Sequence, residues 1–257
     1  MGPGRRRITH MSKATHYLEF FGSDALKRLH GCAIAEADRG PESPCAGLAR
    51  PLRRPQIGWG NPHAGLVFLS PSPIDPASAA NEAFSEWLER ESSLQHHMTS
   101  QAVQPYFRFV QAVLRSCRER WGQKPQRNDV TELAFHTSAV RCPTENPDRV
   151  TEAAVNQCSE RHLEGLVKAM RPRAIVALGG TTARYFWSKS GSSWESWRPI
   201  DDLHGERLTW NGPAGQVPVI LSVSPSRSED AHPDVIARVL SQVLQAEDLA
   251  PRLAEAA

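Results

Sequence analysis

The chain predicts an α/β fold of three layers, with helices over both faces of a central four-stranded, mainly parallel sheet. Three observations predict it. Four short apolar runs, Gly65–Ser70, Thr131–Val140, Ala174–Leu178 and Val217–Val223, have the length and the flanking turn residues of buried strands. Helical patterns lie between the runs, and a strand that reaches its neighbour through a helix pairs with it in parallel. The chain has 257 residues, enough to bury one core of this kind without a second domain.

The elements follow in order. Residues 1–15, with Arg5-Arg6-Arg7 among Gly and Pro, read as a flexible basic N-terminus, residues 16–247 as the single domain and residues 248–257 as a C-terminal tail. His16–His30 reads as a helix leading to Cys32. The Pro/Gly-rich stretch Arg39–Pro62 reads as an ordered loop holding Cys45 and the basic residues Arg50, Arg53 and Arg54. Helices are expected over Ala80–Glu91, Tyr106–Trp121, Thr151–Met170 and Thr181–Trp187. His232–Glu247 closes the domain, with Asp230 as its cap and Pro233 in its first turn. No internal repeat is visible.

A net charge of +2 does not mark a nucleic-acid binder, since phosphate recognition depends on local clusters such as the two arginine runs. A solvated surface explains such runs equally well. No run approaches the ~20 apolar residues of a membrane span, and Met1–Thr15 lacks the apolar core of a secretory signal, so the expectation is a soluble, cytoplasmic protein without a membrane partner.

The odd count of five cysteines argues against a disulfide framework. Cys32, Cys45, Cys142 and Cys158 come from distant parts of the chain, and soft thiolates gathered in this way suit an iron–sulfur cluster or a structural zinc. Cys117, on the apolar face of a helix, reads as a core bystander.

In sheets of this class ligands bind at the carboxyl ends of the strands. That directs attention to Ser70-Pro71-Ser72-Pro73-Ile74-Asp75, Arg141-Cys142-Pro143, Gly179-Gly180-Thr181-Thr182 and Ser224-Pro225-Ser226-Arg227. The Gly179-Gly180 turn either offers backbone N–H groups to an anion or simply caps a helix.

The order of these pieces resembles the uracil-DNA glycosylase superfamily, most closely its iron–sulfur family 4 branch, from about Cys32 to Leu244. Gly58-Trp59-Gly60-Asn61-Pro62-His63-Ala64-Gly65 is similar to that branch's approach to the first strand, and Pro73 matches the proline of its first motif. Ser138-Ala139-Val140-Arg141-Cys142-Pro143 resembles its asparagine-valine-valine-lysine-cysteine-arginine segment. Cys142 and Cys158 keep the spacing of its last two cluster ligands, Arg171–Gly179 looks like its third strand, and Ser224-Pro225-Ser226 sits where it carries histidine-proline-serine.

The resemblance implies a [4Fe–4S] cluster on Cys32, Cys45, Cys142 and Cys158, ordering the basic loop Arg50–Arg54 beside a DNA path, with a four-cysteine zinc site as the alternative. The first pair departs from the family's C-x2-C spacing. The pocket departs further: Pro71 stands for a glutamate, Ser138 for the asparagine that reads the uracil edge, and Ser224 for the histidine of the last motif. A serine hydroxyl cannot repeat the donor-and-acceptor pattern of an amide.

The expectation is therefore a DNA glycosylase that flips out and excises a modified or damaged base other than uracil, such as a bulky modified pyrimidine, with defence against phage genomes as one branch. Its base pocket would comprise Ser70, Ser72, Pro73, Tyr106 and Ser138, with Tyr106 as stacking platform. Asp75 would orient the attacking water beside Ser224, unless it only caps the turn before Pro76. Arg53, Arg54, Ser226 and Arg227 would meet DNA phosphates. The competing expectations are a non-catalytic DNA-binding protein on the same fold and an ordinary family 4 uracil-DNA glycosylase.

Overall fold

The structure, a computed structural model, describes residues 13–45, 54–73, 82–93, 104–144, 150–225 and 232–246. Its elements are α1 (Lys13–Phe21), α2 (Ser23–Asp38), β1 (Trp59–Gly60), β2 (Leu66–Ser70), α3 (Phe84–Ser92), α4 (Gln104–Arg120), α5 (Asp129–Glu132), β3 (Phe135–Ser138), α6 (Glu152–Cys158), a π-helical turn (Ser159–Leu163), α7 (Glu164–Met170), β4 (Ala174–Leu178), α8 (Gly180–Lys189), β5 (Arg207–Gly212), β6 (Gly215–Ser222) and α9 (Pro233–Ala246).

The strands form one six-stranded mixed sheet in the order β1-β3-β2-β4-β6-β5, which corrects the expected four strands to six. The inner pairs β3–β2, β2–β4 and β4–β6 are parallel, whereas β1 and β5 add to the two edges antiparallel. Side chains alternate between two cores, as the period-two geometry of a strand requires. Val67, Leu69, Ile175, Ala177, Val219 and Leu221 face a core shared with α1–α3 and α6–α8. Leu66, Phe68, Ala174, Val176, Leu178 and Ile220 face the other, closed by α4, α5 and α9. Burial on both faces explains why the inner strands read as unbroken apolar runs.

Several boundaries differ from the sequence expectation for identifiable reasons. The expected single helix His16–His30 is two, broken at Gly22, whose φ of +82° is a conformation that ends a helix, and the second continues past Cys32 to Asp38. The run Thr131–Val140 is strand only over Phe135–Ser138, because Thr131 and Glu132 still close a helical turn on Asn128. Thr151–Met170 is interrupted by the π-helical turn directly after Cys158.

The Gly58-Trp59-Gly60 segment is glycine-dependent. A Cβ at Gly58 would stand 2.3 Å from His136 O, and one at Gly60 2.3 Å from Ala134 O. Only glycine lets this strand lie so close to β3. Between them, the Trp59 ring stacks on His136 at 3.7 Å between centroids. No helix among the described residues is long and apolar enough to cross a membrane.

Candidate functional site

Because the four inner strands are parallel, their carboxyl ends share one edge of the sheet. Ser70 ends β2 and Ser138 ends β3, directly paired in register. Their hydroxyls hydrogen-bond to each other at 2.7 Å, and Ser70 Oγ also lies 3.3 Å from Ser72 O. The Ala139 N–H donates to Ser70 O, the Val140 N–H to Pro71 O and the Thr144 N–H to Pro73 O, so residues 70–73 and 138–144 run side by side beyond the sheet. Ser72 and Ser138 are buried. The Ser72 hydroxyl has no hydrogen-bond partner among the described residues, a buried polar atom that a ligand or water would satisfy.

β4 and β6 contribute the neighbouring ends. Gly179, with φ +81°, turns the chain from β4 into α8 and donates its N–H to Ser222 O at 2.7 Å. A Cβ there would meet Pro71 Cγ at 3.4 Å and Ser224 Cβ at 3.6 Å, which places Pro71, Gly179 and Ser224 against one another. Thus Ser70, Ser72, Ser138 and Ser224, anticipated from the sequence, fall at adjacent strand ends. The arrangement offers hydroxyls and backbone groups.

Tyr106 sits further back. Its hydroxyl hydrogen-bonds to Nδ1 of the buried His136, whose Nε2 donates to Val130 O at 2.8 Å, and its ring meets Trp59 and His136 edge to face. The ring is partly exposed, but its polar end is fixed into the core between α4 and β3. Burial raises the Tyr106 hydroxyl far above its ordinary pKa, so it stays a neutral donor.

Asp75, Arg53, Ser226 and Arg227 lie outside the described residues, as do Arg5–Arg7, Arg50, His96, His97 and Asp230. Arg54 is described and is buried, 7 % exposed, with Nη1 donating to His30 O at 3.4 Å, so it has little surface to offer a phosphate. On α3 and its approach Glu86 and Glu89 are exposed and Glu82 pairs with Arg90, whereas Glu91 is wholly buried and accepts from the Ile57 N–H at 2.9 Å.

The second assembly is the cysteine corner. Cys45, Cys142 and Cys158 are buried and Cys32 is partly so. Burial raises all four thiols, and charge on the others adds to the rise at Cys45, Cys142 and Cys158, which brings the four into one electrostatic neighbourhood. Cys117 stands apart, wholly buried on α4 with its Sγ 3.7 Å from Ala237 O.

The departure from C-x2-C spacing has a structural answer. α2 runs on beyond Cys32 to Asp38, and a 3₁₀ turn at Gly40–Glu42 brings the chain back so that Cys45 returns to it. Glu36, 1 % exposed, fastens this return: it accepts from Ser43 Oγ, from Gln157 Nε2 at 2.7 Å and from Arg161, while Ser43 Oγ accepts from the Cys45 N–H at 3.0 Å. Burial alone would raise the Glu36 carboxyl; the hydrogen bonds from Ser43, Arg161 and Gln157 outweigh it and hold the group below its ordinary value.

Arg141 joins the two assemblies. It is 1 % exposed, between Ser138 and Cys142, and its backbone N–H donates to Cys158 Sγ at 3.3 Å. Nη1 donates to Ile57 O and Thr137 Oγ1, whereas Nε and Nη2 have no hydrogen-bond partner among the described residues. Burial lowers its pKa to about 10, a shift opposed by Cys158 and Glu91. Sequence reasoning missed Glu36 and Arg141 as structural members of the site; only the position of Arg141 immediately before Cys142 could have signalled its role.

A cleft lined by Phe21, Leu26, Arg28, Arg161, His162 and Leu166 adjoins the cysteine corner rather than the strand ends. No curated protein matches the chain. The family model described as the uracil DNA glycosylase superfamily matches residues 57–241, a span that takes in all six strands, the serine-lined strand ends, Cys142 and Cys158. The chain belongs to the uracil DNA glycosylase superfamily.

Proposed function

We propose that the protein is a DNA glycosylase that excises a modified or damaged base other than uracil, a bulky modified pyrimidine being the class its pocket suits. Superfamily membership supports glycosylase chemistry in general. The observation that carries the narrower reading is the Ser70–Ser138 hydroxyl pair at the ends of β2 and β3. One O–H is consumed in that bond, leaving a single rotatable donor where a uracil edge calls for a fixed donor beside a fixed acceptor. Short side chains also leave more room than an amide. The hydroxyls, with Ser72 Oγ unpartnered among the described residues, suit a base whose substituent carries its own polar groups.

In this reading the target nucleotide leaves the stack and enters between the ends of β2, β3 and β6. Asp75 holds a water on the sugar side and opposes the positive charge that develops as the glycosidic bond lengthens. The water oxygen bonds to C1′, the base departs with the bonding electrons and takes up a proton, and Asp75 accepts the proton that water loses. Ser224 steadies the leaving base or its phosphate from the β6 side. Arg53, Ser226 and Arg227 serve the phosphate backbone, and the buried Arg54 anchors the chain next to Arg53 through His30 O. Action against genomes with modified bases is the biological setting such a pocket suits.

The cysteine corner fits an iron–sulfur cluster of the family 4 type. Four thiols share one neighbourhood, as the resemblance to the family 4 branch asks of cluster ligands. Arg141 adds an argument: a buried guanidinium with two nitrogens unpartnered among the described residues beside neutral thiols is costly, whereas metal-bound thiolates would add negative charge to that of Glu91 and supply acceptors. Cys32, Cys45, Cys142 and Cys158 would hold the cluster, whose part is structural.

Incubation of the protein with DNAs bearing different base modifications, followed by detection of free base and alkali-labile abasic sites, tests the proposal. Release from at least one modified DNA is expected. Tight DNA binding without release from any of them would favour the non-catalytic reading.

A further inference from the structure

The chain beyond β6 begins with Val223 and Ser224, and a side chain from another part of the molecule holds it. His204 lies, half-buried, in the loop between α8 and β5. The Val223 N–H donates to His204 Nδ1 at 3.2 Å, which requires the ring proton on Nε2, and Nε2 donates to His232 O at 3.3 Å. A single neutral imidazole therefore ties the residue before Ser224 to the residue before α9.

The loop carrying this histidine is itself fixed. The Gly205 N–H donates to Leu221 O and the Leu221 N–H to Glu206 O, both at 2.8 Å, so the loop continues the β5–β6 pairing. Gly205 has φ +87°, and a Cβ there would stand 2.5 Å from Val235 Cγ1 on α9. The neighbouring Leu203 is wholly buried. From the opposite side, the Gly179 N–H fixes Ser222 O. The end of β6 is thus gripped from β4 and from the His204 loop, and Ser224 is the first side chain beyond the grip.

Resting on the glycosylase reading, we infer that His204 is a positioning residue for Ser224, its neutral imidazole setting where the carboxyl end of β6 points that hydroxyl into the strand-end pocket. Protonation would place a hydrogen on Nδ1 and turn it against the Val223 N–H, donor against donor, so the clamp holds only with the ring neutral. The titratable groups that face the ring are His232, from the segment entering α9, and Asp201, from its own loop. Burial lowers the His204 pKa below the ordinary 6.5, and the His232 carbonyl and Asp201 oppose that lowering. The clamp is therefore closed at neutral pH and opens as pH falls through the lowered value.

His204→Asn keeps an acceptor near the Nδ1 position but does not titrate, and His204→Ala removes it. Amide hydrogen exchange at Val223, corrected for intrinsic exchange, is measured on the folded full chain at pH 7.5 and at a lower pH at which NMR shows the His204 ring protonated. The unsubstituted protein should protect Val223 at the higher pH and lose protection at the lower, His204→Asn should protect at both, and His204→Ala at neither. Affinity for a duplex with a tetrahydrofuran abasic analogue should follow, roughly two- to tenfold weaker for His204→Ala and unchanged for His204→Asn, the size of one lost neutral hydrogen bond. Undiminished Val223 protection in His204→Ala, or protection in the unsubstituted protein that is the same at both pH values, would overturn the inference. Should His204→Ala fail to fold, the pH contrast between the unsubstituted protein and His204→Asn decides it. Failure of the unsubstituted protein to prefer the abasic duplex over an undamaged one would instead overturn the glycosylase reading, and the exchange pattern would still decide the clamp.

Discussion

The cysteine corner and the strand-end pocket are built in opposite ways from the same sheet. In the corner every polar group on Glu36 is engaged, and one carboxylate ties together α2, the Cys45 turn and the helix that carries Cys158. In the pocket the hydroxyls of Ser70 and Ser138 bond to each other, Ser70 Oγ has only longer contacts to the Ser72 and Thr137 carbonyls, and Ser72 Oγ has no partner among the described residues. Satisfied networks hold one geometry, whereas spare buried hydroxyls await a ligand. The difference separates a staple from a site: the corner fixes where the Arg141–Cys142 chain runs, and the pocket, three residues upstream at Ser138, is where we propose that the base is chosen.

Substitutions should affect the two regions separately, and the largest effect belongs to the pocket. Asp75→Asn keeps the side chain's shape but neither accepts a proton nor opposes charge at the sugar, so base release should fall by ~10²–10⁴-fold with DNA affinity nearly unchanged. Arg227→Ala should show the reverse, weakening DNA binding and flattening its salt dependence by about one phosphate contact. Full turnover by Asp75→Asn in a single-turnover assay would move the carboxylate role elsewhere.

The next effect lies in the corner. Glu36→Ala leaves Ser43, Gln157 and Arg161 without their shared acceptor and should cost about 2–3 kcal/mol in denaturant unfolding, along with most of the bound metal. Because the Glu36 carboxyl is held below its ordinary value, its contribution is complete above that value and is lost as pH falls through the lowered one. Stability of the unsubstituted protein should therefore decline on acidification below about pH 4.5, the ordinary glutamate value, while that of Glu36→Gln declines less. Parallel acid unfolding curves for the two proteins would contradict the latch.

Metal identity sharpens the same comparison. Anaerobically purified protein should be brown, with broad visible absorbance that bleaches on reduction. Colourless protein with one tightly bound zinc would replace the cluster by the zinc site. The smallest effect is expected from Cys117→Ser: that thiol packs between α4 and α9, away from the other four, so metal content should stay the same.

Much of the sheet was legible because β2, β4 and β6 are covered on both faces and so present continuous apolar runs. β1 and β5 were not, for the same physical reason reversed. β5, Arg207–Gly212, buries Trp210 but leaves Arg207, Thr209 and Asn211 exposed, and β1 is two residues beside glycines. An edge strand needs only one partner and one covered face, so its sequence looks like loop. The candidate serines could be read because they abut the ends of apolar runs. Glu36, Arg141 and His204 could not, since each acts through a tertiary contact with residues far along the chain, and a lone Glu, Arg or His carries no periodic signal.

The most direct test of the proposed preference for a base other than uracil compares rates of free-base release by one preparation of the protein. One substrate is a uracil-containing duplex; the others are DNAs carrying modified pyrimidines. Loss of the bidentate amide contact costs ~1–3 kcal/mol of discrimination, so uracil should be released at least tenfold to a hundredfold more slowly than the best modified base. Uracil released as fast as, or faster than, every modified base would contradict the account.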